Sequence, residues 1–319
     1  MNNYSWLQQM LHRIALSSSF MREISFDAEK ILISNEKYFD NHVFISGLAR
    51  SGTTILLNAI YESNEFASLS YNDMPFVLSP NLWSMLSFSK KDMEPVERAH
   101  NDGIKISSKS PEAFEEVFWM TFGEGNNSIE EKLKIYVGKI NKRYQRKRYL
   151  SKNNQNIRRL GLISKIFPKS KILIPFRDPI QQAHSLLSQH NKFIELSKKD
   201  KFIHNYMEWI GHTEFGPSYI PIHNKNLIYK DHLDINHWIE QWYLTYSNCF
   251  QELNNKKNIY FISYEALCSS KEYWIKILRL LDLKQTNDFV FKKSQKKITH
   301  QIENKIKSKA LSLYSEINY

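Results

Sequence analysis

The residues best equipped for chemistry lie in one stretch, HVFISGLARSGTTILLNAI, His42 to Ile60. Val43 to Ile45 form a short apolar, partly β-branched run, Gly47 and Gly52 bracket a turn, and Thr54 to Ile60 resume with apolar residues at helical spacing. A strand, a glycine-bounded loop and a helix start make a cradle for an anion, because the first N–H groups of a helix lack partners within it and point outward. Arg50, Ser51, Gly52, Thr53 and Thr54 would line that cradle with amides, hydroxyls and one fixed cation. In nucleotide triphosphatase loops a lysine follows the second glycine and reaches the β- and γ-phosphates, whereas here that position is Thr53. The chemically quiet alternative is a strand-turn-helix whose glycines serve packing and whose threonines cap the helix.

A second stretch, RDPIQQAHS, places Arg177 at the end of an apolar strand, Lys171 to Phe176, with a helix from Pro179 that carries Ser185. Ligands collect at the C-terminal ends of strands in open parallel sheets. Arginine offers a planar donor fork and serine a hydroxyl, both suited to phosphate oxygens.

GLARSGTT and RDPIQQAHS together resemble the two nucleotide-binding motifs of sulfotransferases that use 3′-phosphoadenosine-5′-phosphosulfate (PAPS). The resemblance implies that Arg50, Ser51, Gly52, Thr53 and Thr54 hold the 5′-phosphosulfate, and that Arg177 and Ser185 hold the 3′-phosphate. It implies in-line sulfuryl transfer from PAPS to an acceptor hydroxyl without a metal. A carbohydrate, and with a chain this basic an anionic glycan, is the expected acceptor, with a protein tyrosine or a small molecule as alternatives. Asp73, in YNDMPF, sits near where tyrosyl-protein and several glycan sulfotransferases place a Glu, and is the expected general base. An Asx-turn or helix cap before Pro75 is its other reading. Lys152, in LSKNNQNIRRL, matches the lysine of a Lys-Asp-Pro motif and would join Arg50 in steadying the developing charge, although Asn153 and Asn154 replace Asp-Pro. Lys109, in SKSPEAF, is a weaker candidate for facing the acceptor. His212 and Glu214, between Gly211 and Gly216, read either as part of a loop covering the acceptor or as a plain structural loop.

The elements that must position these residues alternate between strand and helix, which argues for an α/β fold with a mainly parallel central sheet flanked by helices. One P-loop-like domain over residues 1–319 is expected, with 1–40 a helical extension and 290–319 a basic loop and helix. Helices are expected near Pro111, with Ser110 as N-cap and Glu112, Glu115 and Glu116 in the first turn, then from Glu130 to Tyr149, where a basic, largely solvated face is read. Further helical patterns cover Ile157 to Phe167, Asp234 to Leu253 and the region of Tyr273 to Leu281, and NIYFISYEAL supplies another strand. Trp238, Trp242 and Tyr246 fall at helical spacing and read as core.

A hydrophobic content of 42% supplies a core and argues against a disordered chain. The net charge of +11 favours acidic partners without specifying one. The start lacks a signal peptide's apolar region and no apolar run approaches bilayer-spanning length, so a soluble cytoplasmic protein is expected. Cys249 and Cys268 have neither metal-type nor redox-type spacing. Two rival functions are a P-loop kinase or ATPase, disfavoured by Thr53, and a basic nucleic-acid binder, for which no motif is present and none is expected as partner. The Lys-rich run Lys292 to Lys297 reads as a second contact to the 3′-phosphate, by analogy with a basic C-terminal loop in related enzymes, or as a solvated turn.

Overall fold

Five short parallel strands carry the site: β1 (Val43–Ile45), β2 (Phe66–Ala67), β5 (Arg148–Lys152), β6 (Lys171–Phe176) and β7 (Ile259–Ser263), ordered β2-β5-β1-β6-β7. Two further strands, β3 (Val96–Glu97) and β4 (Lys105–Ile106), form a separate antiparallel pair. The computed structural model describes residues 5–32, 38–87, 96–97, 105–253, 256–284, 289–293 and 296–318. Alternate residues of each central strand serve opposite faces, as the two-residue period requires. Val43, Ile45, Leu150 and Leu173 pack with Leu56, Leu57, Trp274 and Ile277 on one face. Phe44, Tyr149, Ile172 and Ile174 pack with Trp119, Tyr136, Trp238 and Trp242 on the other. Trp238, Trp242 and Tyr246 are thus core, at 2%, 0% and 0% exposure.

The strand register sets the geometry of the site. Ile45 lies opposite Lys152 on one side and Leu173 on the other, and Phe176 lies opposite Ser263. Every chain exit from these strands therefore opens at the same edge of the sheet, and Arg177 follows directly on β6.

Several local expectations need correction. The basic helix runs Ile129–Tyr144 and stops where Gln145 turns left-handed (φ 53°), so Arg148 and Tyr149 belong to β5 instead. Its basic face is not wholly solvated, since Lys139 is fully buried with Nζ donating to the Phe26 carbonyl at 2.6 Å and lying over the Phe26 ring. The helix expected at Pro111 begins only at Glu116, because Pro111 pairs with Ser70 in an isolated bridge and Ser110 Oγ accepts from the Ser107 N–H. The Ile157 to Phe167 pattern divides into a 3-10 turn, Asn154–Arg158, and a helix, Leu160–Ile166. Helices Ile235–Leu253 and Lys271–Leu280 form close to their expected spans.

Helices Trp6–Leu16 and Ser19–Leu32 dock on the rest of the chain through buried polar groups. The fully buried Glu29 accepts from the Asn81 backbone and amide and from Leu82 N–H, all within 3.0 Å. Helix Asn304–Ile317 packs against the Ile235 helix. Of the Lys292 to Lys297 run, Ser294 and Gln295 lie outside the described residues.

His42, just before β1, is fully buried, accepts the Tyr149 N–H on Nδ1 at 3.0 Å and meets the Phe167 ring edge-on. Burial lowers its pKa from 6.5 to about 4, so the folded protein holds the ring neutral across a range in which an unfolded histidine takes up a proton. Stability present above pH 6.5 should accordingly fall as the pH drops toward 4. This one group removes up to about 1.4 kcal/mol per pH unit in that window. Urea unfolding at pH 7 and at pH 5 tests this, and equal midpoints would contradict it.

Candidate active site at the C-terminal edge of the sheet

The loop after β1 is built around conformations and contacts that only particular residues accept. Arg50 and Gly52 both adopt positive φ, 69° and 95°. A Cβ on Gly52 would also lie 2.4 Å from the Tyr264 ring, so strain and clash exclude any side chain there. At Gly47 a Cβ would come within 2.8 Å of the Pro175 carbonyl oxygen, and the glycine lets the loop lie flat on β6.

Gly52 is the N-cap of helix Thr53–Tyr61 and no side chain caps the first turn, leaving its N–H groups oriented for an anion. Ser51, Thr53 and Thr54 are 0%, 3% and 6% exposed, and Thr53 Oγ1 donates to Asn154 Oδ1 at 3.4 Å. A doubly charged phosphoryl or phosphosulfate end fits such a cradle, with Arg50 as the adjacent cation.

The second motif folds back onto the first. Arg50 Nε donates to Ser185 Oγ at 3.0 Å, which joins residues 135 positions apart. Asp178 caps the Pro179–Lys199 helix, accepting from Ile180 and Gln181 N–H at 3.0 and 2.8 Å, and Pro179 takes the first helical position, where its missing N–H costs nothing. That cap leaves Arg177 to turn toward Glu265, 3.9 Å away, over the Tyr264 ring. Gln182, not singled out in the sequence, is the buried brace: Nε2 donates to the Ala49 and Leu48 carbonyls while Oε1 accepts from Trp242 Nε1 at 3.1 Å. Its amide chemistry was legible, but its partners were not.

Lys152 ends β5 beside Ile45 and is 8% exposed. The polar run after it turns inward: Asn153 Nδ2 donates to Glu116 Oε2 at 2.8 Å, Gln155 Nε2 to Thr213 Oγ1 at 3.0 Å, and Asn156 Nδ2 to Glu115 Oε1 at 2.7 Å. Of these, the Gln155 bond reaches the Gly211–Gly216 segment. Within it His212 Nδ1 lies 2.5 Å from Glu214 Oε2. Burial alone would raise the Glu214 pKa, but the charge and hydrogen bond of His212 together with the charge of Lys152 bring it down to about 2. Glu214 is therefore ionised, and it lines a cavity together with Gly47, Leu48, Ala49 and Asn154.

Asp73 is placed differently. It is 1% exposed and closes a capping box with Ser70, its Oδ2 accepting from Ser70 N–H at 2.8 Å and from the Tyr144 hydroxyl, while Arg143 Nε lies 3.6 Å from Oδ1. Both oxygens meet protein groups, the arrangement of a cap. Lys109 is exposed in the Ser107–Ser110 turn, its N–H donating to Ser107 Oγ at 3.3 Å. Among the described residues no group of three or more His, Cys, Asp and Glu side chains is arranged to hold a metal.

A family model for sulfotransferases matches residues 42–214, a span that runs from the strand before the loop to Glu214. The chain belongs to the sulfotransferase family. Its fold is similar to that of sulfotransferase STF1 from Mycobacterium tuberculosis, at 11% identity and a TM-score of 0.50 over 89% of this chain and 80% of that one. Sulfotransferase STF9 from Mycobacterium avium aligns with 99% of this chain and 79% of its own, at 11% identity and a TM-score of 0.47. No curated protein sequence matches the chain. The α/β sheet flanked by helices is thus the scaffold of a sulfotransferase, an enzyme that transfers a sulfuryl group. No helix among the described residues is long and apolar enough to cross a membrane.

Proposed function

We propose that this sulfotransferase is PAPS-dependent and transfers the sulfuryl group to an acceptor hydroxyl at the C-terminal edge of the sheet. The observation that carries the reading is the Arg50–Ser185 hydrogen bond, which brings the two nucleotide motifs into one continuous surface. In this reading the loop amides, Ser51, Thr53 and Thr54 hold the 5′-phosphosulfate end, and Arg177 with Ser185 holds the 3′-phosphate. Bound PAPS supplies the activated sulfuryl group. Arg50 and Lys152 hold the charge that develops on the departing phosphate, since fixed donors stabilise it without reorganising. A soluble, cytoplasmic enzyme working without a metal is part of the same proposal.

For the proton, the geometry favours His212 with Glu214 over Asp73. A general base has to reach the acceptor hydroxyl. Glu214 borders the cavity at the loop with His212 Nδ1 beside it, so the pair stands near the loop, whereas Asp73 Oδ2 is taken up by its cap. His212→Asn and Glu214→Gln are expected to lower kcat by about 10²- to 10⁴-fold. Both should leave affinity for 3′-phosphoadenosine-5′-phosphate (PAP) unchanged by calorimetry. Asp73→Asn is expected to lower Tm while changing kcat by less than about threefold. The opposite pattern would return the base to Asp73.

A further inference from the structure

Lys292 and Lys296 are tied by their backbones to the motif that carries Arg177 and Ser185. The Tyr264 hydroxyl, on the ring that Arg177 covers, donates to the Lys292 carbonyl at 3.0 Å. Gln181, in the first turn of the Pro179 helix, makes a closed pair with Lys296: Nε2 donates to the Lys296 carbonyl at 3.1 Å and Oε1 accepts the Lys296 N–H at 2.9 Å. His184 and Ser185 follow three and four residues after Gln181 and therefore share its side of the helix. Ser185 accepts from Arg50, and His184 meets the His300 ring, with centroids 5.5 Å apart and planes at 57°.

These ties gather positive charge at one place. Burial first, and then the neighbouring His300 and Lys296, lower the His184 pKa, while Arg50 and Arg177 flank Ser185 on its other approaches. The carboxylates of the flanking elements already have partners. Asp178 accepts from Ile180 and Gln181 N–H, Glu265 faces Arg177 and accepts from Asp178 N–H and the Tyr314 hydroxyl, and Glu303 accepts from the Tyr229 hydroxyl. Backbone ties thus hold like charges together, and a multiply charged anion would relieve their repulsion. Such an anion reverses the balance at an imidazole and favours its protonated form.

We propose that His184 and His300 form a proton-gated extension of the 3′-phosphate subsite, a ring nitrogen of the pair taking a proton from solvent as the phosphate binds beside Ser185. This rests on the PAPS reading of the site.

Calorimetry of PAP binding to the full chain, repeated in buffers of different ionisation enthalpy, counts that proton. At pH 7 binding should take up protons, whereas a phosphate held by arginine and lysine alone should release them, because opposite charge lowers its own pKa. From pH 8 to pH 6.5 the Kd for PAP should tighten, by at most about tenfold per pH unit for each proton taken up. Adenosine 5′-monophosphate, which lacks the 3′-phosphate, should change by less than about twofold over the same range. His300→Asn, at an exposed position, and His184→Asn should each reduce the uptake. The double variant should abolish it and bind PAP at pH 6.5 at least about tenfold more weakly than the unmodified protein, the loss of one charge-assisted hydrogen bond. Net proton release, uptake that survives in the double variant, or equal pH slopes for the two nucleotides would overturn the inference and leave PAPS-dependent transfer standing. PAP bound no more tightly than adenosine 5′-monophosphate at every pH would overturn both.

Discussion

Arg177→Ala should bind PAP about 10- to 100-fold more weakly than the unmodified protein. The loss follows from removing charge-assisted hydrogen bonds to a phosphate, worth about 1.5–3 kcal/mol, at about 1.4 kcal/mol per tenfold. The fold should tolerate the change. Glu265, which faces Arg177 at 3.9 Å, keeps the Asp178 N–H on Oε1 and the Tyr314 hydroxyl on Oε2, at 3.2 and 3.1 Å. It is therefore not left as a bare buried charge. Arg177→Lys should recover only part of the affinity, because an ammonium is a point charge without the planar donor fork. The decisive comparison is between nucleotides. Loss of the guanidinium should weaken PAP while leaving adenosine 5′-phosphosulfate, which lacks the 3′-phosphate, within a factor of about two, the ordinary scatter of small binding differences. Equal binding of ATP and PAP, with Arg177→Ala unable to separate them, would sink the assignment and favour a P-loop ATPase.

Glu115→Ala should be among the most destabilising single changes in the chain, by about 3–5 kcal/mol in urea unfolding. Glu115 is 2% exposed and accepts four hydrogen bonds: Oε1 takes Trp119 Nε1 and Asn156 Nδ2 at 3.0 and 2.7 Å, and Oε2 takes the Tyr149 hydroxyl and Ser151 Oγ at 2.9 and 2.5 Å. Alanine would strand four donors in the interior, and an unsatisfied buried polar group costs about 1–3 kcal/mol each before relaxation. Glu115→Gln keeps the shape but turns part of the acceptor into a donor, so it should fall between the two. The carboxylate ties β5 to the Glu116–Phe122 helix and to the polar turn after Lys152. Loss of that tie should also blunt kcat in any folded fraction, through Lys152. A cost below about 1 kcal/mol, the value of one ordinary hydrogen bond, would show that the network is not what holds β5 in place.

The contrast between legible and illegible elements has a physical pattern. Strand β6, the long Ile235 helix and the loop after β1 could be read because each declares itself locally, by an apolar run, a helical period or a required glycine. Strand β5 could not. Its residues Arg148 to Lys152 continue a basic helical pattern, and only a left-handed Gln145 and the parallel pairing with β1 turn them into a strand. The Pro111 helix was misplaced for a related reason, because a favourable first-turn sequence lost to a bridge with Ser70.

For the candidate site, the amino-acid sequence alone determined the glycine-bounded loop before a helix and the arginine that follows β6. The backbone geometry of a glycine-bounded helix start and the cap of an Asp-Pro helix are dictated within a few residues. Tertiary structure alone decided which carboxylate stands at the cavity and which is spent on a cap. In sequence Asp73 is the expected base and Glu214 a weaker acceptor-loop candidate, yet Glu214 borders the cavity beside His212 and Asp73 is enclosed by Ser70, Tyr144 and Arg143. Those pairings join segments far apart in sequence, so only packing fixes them.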